Sequence, residues 1–113
     1  MFRGIGRMVV GVSDQDEALA FYRDVLGFEV LHDSDDEGFR YLHMGVPGQP
    51  QTGIWLMPGA AEHDRPLLVL FTDDLTGILE SLERHGVETW GATATSLHFR
   101  DCAGNILVAS VPS

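Results

Sequence analysis

Cysteine is almost missing from this chain. Among 113 residues only Cys102 carries a thiol, which rules out an intramolecular disulfide and fits a reducing compartment. Positive charge is scarce too. Seven basic against seventeen acidic side chains give a net charge of −10, a balance that repels polyanions and argues against nucleic acid or an anionic membrane surface as partner. Long apolar runs are absent: none approaches the roughly 20 residues that span a bilayer. Met1-Phe2-Arg3-Gly4 leads directly into a strand pattern rather than a signal peptide. A soluble, cytoplasmic protein is expected. Glycine-rich phosphate loops, serine-nucleophile elbows and Cys-x-x-Cys pairs are also lacking, so the reaction classes that depend on them have no support.

What is present is enough apolar material, 44% of the residues, to bury the core of one compact domain. That material is arranged as a repeat. A strand-like run followed by a capped helix occupies Met8 to Gly27 and recurs from Leu68 to Gly86, an offset of about 60 residues that marks a duplicated supersecondary unit.

In the first unit Arg7 to Val12 reads as a strand. Asp14 is the expected N-cap, with Glu17 completing a capping box. Ala18, Leu19, Tyr22, Val25 and Leu26 hold helical spacing and Gly27 stops the helix. Phe28 to Leu31 reads as a second strand. The acidic run Asp33-Ser34-Asp35-Asp36-Glu37 reads as a solvated turn, because it lacks the spacing of a calcium loop. Phe39 to Met44 and Thr52 to Met57 flank the turn-rich Gly45 to Pro50 and predict a hairpin. In the second unit Leu67 to Phe71 is the strand, and Asp73 or Asp74 caps a helix carrying Leu75, Ile78, Leu79 and Leu82. Strands near Val87 to Trp90, Ser96 to Arg100 and Ile106 to Val111 follow. The expected organisation is one α+β domain of two modules, 1–58 and 67–113, joined by a linker at 59–66.

Two stretches carry a family resemblance. Val12-Ser13-Asp14-Gln15-Asp16-Glu17-Ala18-Leu19-Ala20-Phe21-Tyr22-Arg23-Asp24-Val25-Leu26-Gly27-Phe28 resembles the first-helix signature of the glyoxalase, bleomycin-resistance and extradiol dioxygenase superfamily, the vicinal oxygen chelate proteins. Phe99-Arg100-Asp101-Cys102-Ala103-Gly104-Asn105 resembles the turn near the end of those proteins, with Cys102 in place of the usual proline. With the element order, the resemblance covers almost the whole chain. It implies tandem βαβββ modules whose curved mixed sheets form a central cleft, and a homodimer. Members that bind a divalent metal take His and Glu ligands from the first and last strand of each module. The matching positions here are Arg7, Trp55, Leu67 and Val108, none of which can ligate a metal. The expectation is therefore no metal and no cofactor.

Strand alternation says what lines the cleft instead. With Met8, Val10, Val12, Leu97 and Phe99 on the helix-packed side, the opposite face receives Arg7, Trp55, Met57, Leu67, Val69, Phe71, Ser96, His98 and Val108, and from the hairpin Tyr41 and His43. Such a surface, apolar and aromatic with a few polar groups, suits a small organic ligand. In fosfomycin-resistance relatives the positions of His98 and Ser96 lie in the ligand pocket. Each polar group also has a structural reading: Arg7 pairing with Glu29 or Asp101, His98 as a satisfied strand histidine, Trp55 as core, and His32, His63 and His85 as solvent-facing.

Two functions follow. The first is a metal-independent binding protein for an apolar or aromatic small molecule. The second is an enzyme of the same superfamily, a lyase, isomerase or dioxygenase. It would be either metal-free, with His98 as acid or base and Arg7 stabilising an oxyanion, or dependent on a metal held by His43 and His98. The missing ligands favour binding, or a metal-free activity, over metal chemistry.

Overall fold

A computed structural model describes residues 1–113. The chain divides into two compact units, Met1–Ala61 and Glu62–Ser113. In the first, β1 (Arg7–Val12) leads to α1 (Gln15–Ala20), which continues as one π-helical turn over Phe21–Val25. Then come β2 (Glu29–Asp36), β3 (Phe39–Gly45) and β4 (Gly53–Pro58). The second unit repeats the order with β5 (Pro66–Phe71), α2 (Leu75–Arg84), β6 (Thr89–Trp90), β7 (Ser96–Arg100) and β8 (Ile106–Ser110). Each unit holds one four-stranded sheet, ordered β1-β4-β3-β2 and β5-β8-β7-β6. The first and last strands of each unit run parallel and the remaining neighbours antiparallel. The fold is α+β, two βαβββ modules.

Local chemistry sets the helix ends. Asp14 accepts the Glu17 N–H and Asp74 accepts the Gly77 N–H, each at about the distance of an ordinary N-cap bond (3.0 and 2.9 Å). Gly27 and Gly86, both at positive φ, close the helices. Gln15 anchors the start of α1 by donating to the carbonyls of Arg40 and Leu56. The core of the first unit is then Val10, Val12, Ala18, Tyr22, Leu42, Met44, Ile54 and Leu56, all on the helix side of the sheet.

The acidic run is not a turn. Asp33 to Asp36 continue β2, and only Glu37 and Gly38, both at positive φ, make the reversal. Arg40 supplies the reason. Its guanidinium grips Asp33 at two points, 2.9 and 2.8 Å, and reaches Asp16 at 2.6 Å. That contact holds the Asp33 carboxyl below the usual carboxylate range and offsets the low strand preference of aspartate. Phe28 stays outside the strand and is buried, and the strand expected from Val87 is confined to Thr89 and Trp90.

A second feature of β2 was not legible beforehand. The pairing slips between Val30 and His32, so Leu31 is an extra, bulged residue. Its side chain lies across two glycines: a Cβ on Gly45 would sit 2.7 Å from Leu31 Cδ1, and one on Gly53 2.8 Å from it.

The closing turn of the second unit is a hydrogen-bonded knot. Buried Asp101 accepts the N–H groups of Ala103 and Asn105, both at 2.9 Å, and buried Asn105 donates to Asp101 Oδ2 at 2.9 Å. Asn105 Oδ1 also takes the Glu62 N–H at 2.6 Å. These residues organise a turn. Asn105→Ala leaves the Glu62 N–H without this acceptor and should cost about 2 kcal/mol. Urea unfolding checks this, and an unchanged midpoint would contradict it.

Candidate functional site

Each module presents a candidate surface on the sheet face opposite its helix. In the first module the strand register sets one row across the sheet: Val9 beside Trp55, Trp55 beside His43, and His43 beside His32. Tyr41 and Phe39 lie further along β3 on the same face, since side chains two apart share a side. The rings touch in an unbroken series. Phe39 and Tyr41 centroids are 4.9 Å apart, Tyr41 stacks on Trp55 at 5.7 Å, Trp55 meets His43 at 5.5 Å, and His43 meets His32 at 5.5 Å. Tyr41, His43, Trp55 and Met57 are all half-buried.

His32, expected to face solvent, is exposed; the strand extension and the bulge bring it to the end of this row, where Nε2 meets Ser34 Oγ at 2.8 Å. Its part in the row could be found from sequence only by anticipating that bulge.

Arg7 has neither of the acidic partners expected for it. Its Nε–H donates to His43 Nδ1 at 3.1 Å, and Nη1 donates to the carbonyls of Gly6 and Gln51. Because a guanidinium can only donate, Nδ1 must be the acceptor and the ring proton of neutral His43 sits on Nε2. That Nε2 is sealed from solvent without a partner, and so is the indole Nε1 of Trp55. A buried N–H left unmade costs roughly 1–3 kcal/mol. Burial first, then the charges of Arg7 and His32, lower the His43 pKa from its ordinary 6.5. An arginine aimed at one nitrogen also opposes a divalent cation on this ring.

In the second module the equivalent row is Val69, Val108, His98 and Trp90. Trp90 stacks on His98 at 5.7 Å, and the Arg100 guanidinium lies 5.5 Å from the Trp90 ring while donating to the carbonyls of His63 and Gly104. His98 Nδ1 is buried and unpartnered, and a Cβ on Gly91 would sit 2.9 Å from it. Ser96 is on the same face, its hydroxyl bonded to Thr93. Leu67 is half-buried, while Val69 and Phe71 are exposed. Trp90 was missed from sequence because its strand is only two residues long. His85 bonds the Ser81 carbonyl at the end of α2, and His63 lies outside the strands.

The positions where a divalent ion would be expected do not fit one. Arg7 and Trp55 offer only donors, and Leu67 and Val108 offer no polar atom. No group of three or more His, Cys, Asp or Glu side chains comes together, and no helix is long and apolar enough to cross a membrane.

Repeated βαβββ sheets with aromatic helix-free faces define an α+β protein of the glyoxalase-like class. The chain belongs to the Glyoxalase/Bleomycin resistance protein/Dioxygenase superfamily, whose model matches residues 4–107. It is similar to TnmS3, an antibiotic binding protein from Streptomyces sp. CB03234, with 28% identity, a TM-score of 0.85 and coverage of 99% of this chain and 98% of that one. It is also similar to UcmS2, at 26% identity and a TM-score of 0.82 over 99% of this chain and 100% of that one. A further relative is the uncharacterized protein YetH of Bacillus subtilis (strain 168), 26% identical over 96% of this chain and 98% of its own length.

The His43 environment has a pH signature. The unfolded chain protonates this group near its ordinary 6.5 while the folded chain resists, so its contribution to stability is complete above that value and is lost as pH falls through the lowered folded pKa. Urea midpoints should therefore fall on acidification from neutral pH, and fall less in His43→Phe. Parallel pH profiles would show that His43 titrates as an ordinary histidine.

Proposed function

We propose that this protein binds a small aromatic organic molecule against the helix-free sheet faces of its modules, without a metal. The series of five rings from Phe39 to His32 carries the reading. Rings offset and tilted in sequence present π-faces and apolar edges to a flat guest, and each aromatic contact adds about 0.5–1.5 kcal/mol beyond area burial. Residues without metal-ligating atoms at Arg7, Trp55, Leu67 and Val108 support a binding role over metal chemistry. The similarity to an antibiotic binding protein agrees with it.

A catalytic use of Arg7 has less support, because its guanidinium is already committed to His43 and two carbonyls. Met57 on β4, and Val69, Phe71, Ser96, His98 and Val108 in the second module, complete the proposed binding residues together with Arg7, Tyr41, His43, Trp55 and Leu67.

A library of planar aromatic compounds screened by thermal shift tests the proposal. At least one compound should raise the melting temperature and quench tryptophan fluorescence, and Trp55→Ala should remove the shift. A library without a single binder would sink the reading.

The protein is also proposed to form a homodimer. Strand β5 lies at the edge of its sheet, and an unpaired strand edge is usually covered. Light scattering at micromolar concentration should give twice the chain mass. A wild-type monomer would refute it.

A further inference from the structure

The geometry points to a ligand that carries a hydrogen-bond acceptor oxygen, a carbonyl or oxyanion, seated at the His43–Trp55 pair. The inference rests on the binding reading above and narrows its ligand class.

These two residues are direct neighbours across β3 and β4, with ring centroids 5.5 Å apart on the same sheet face. Each holds one buried nitrogen without a partner, His43 Nε2 and Trp55 Nε1. Both are donors: indole nitrogen can only donate, and the Arg7 bond to Nδ1 leaves the His43 proton on Nε2. Neither nitrogen is the accidental end of a flexible side chain. Arg7 locks the imidazole from behind, Arg7 itself is held by the Gly6 and Gln51 carbonyls, and Tyr41 stacks on the indole.

Two unpartnered N–H donors on paired residues among aromatic rings would be satisfied by an electron-rich oxygen that displaces the side-chain atoms now covering them. The same arrangement rejects a cation, because Arg7 already places positive charge behind the ring. It also disfavours an all-hydrocarbon guest, which would leave both N–H groups unmade inside a dry contact. An oxygen-bearing aromatic satisfies the donors while its ring system lies along Tyr41 and Trp55.

Fluorenone and fluorene separate these cases, being planar tricyclics of nearly one size that differ by a carbonyl oxygen. Fluorenone should bind the intact protein about tenfold more tightly or better. It should also move the Trp55 indole N–H resonance downfield, with Trp90 as the internal reference, while fluorene should not. In His43→Phe and Trp55→Phe the preference should shrink while fluorene affinity is kept. Equal affinities in the wild-type protein, or a preference that survives in both variants, would overturn the acceptor seat and leave the aromatic-binding reading standing. Failure of fluorenone to bind while the library yields other planar aromatic binders would likewise overturn the acceptor seat alone, whereas a library without any binder would overturn the two together.

Discussion

The parallel pairing of the first and last strand of each module is the constraint on which the site depends. Parallel neighbours need a crossover, and here the helix and the intervening strands provide it. Once β1 lies beside β4 with Val9 opposite Trp55, alternation decides every other position. Val10, Val12, Ile54 and Leu56 go into the core, so Arg7, Val9, Trp55 and Met57 must take the other face. A slip of β4 by one residue would drive the Trp55 indole beneath α1 and expel Ile54 and Leu56 from the core. Core burial and site geometry are thus two consequences of one register.

The bulge at Leu31 refines that register. It changes the parity of β2 partway along, so that His32 joins the face of His43. The displaced side chain needs room, which Gly45 and Gly53 provide by lacking Cβ atoms. Arg40 then holds the far end of the strand through Asp33 and ties it to the first turn of α1 through Asp16. These ion pairs are exposed at their acidic ends and contribute little energy each, but they decide where an acidic strand runs.

The two modules keep one plan and vary its chemistry. His43 and His98 hold equivalent places in their rows, as do Val9 and Val69. Trp55 is answered by Val108, and His32 by Trp90. Backbone pairing tolerates such exchanges because side chains on the helix-free face do not enter the ladder of hydrogen bonds. The same tolerance lets relatives at 28% identity share the fold.

Much of this was written in local sequence. Asp14 and Asp74 announce the helices because a carboxylate can accept the free N–H groups of a first turn, and Gly27 and Gly86 end them because glycine adopts positive φ cheaply. Alternation in β3, β4 and β7 is regular enough to separate His43, Trp55 and His98 from the core. The duplication establishes the order of elements in both modules. What the sequence could not determine lies between segments distant along the chain. The path of β2 depends on Arg40 outweighing the poor strand preference of aspartate, and the place of His32 depends on a bulge whose cost is met by two remote glycines. The proton on His43 Nε2 depends on Arg7, 36 positions away. Periodicity reports which face a residue occupies, since that is a local property of the backbone. The partner a polar atom finds, or fails to find, is decided only when strands pair, and that tertiary decision left the His43 and Trp55 donors buried without one.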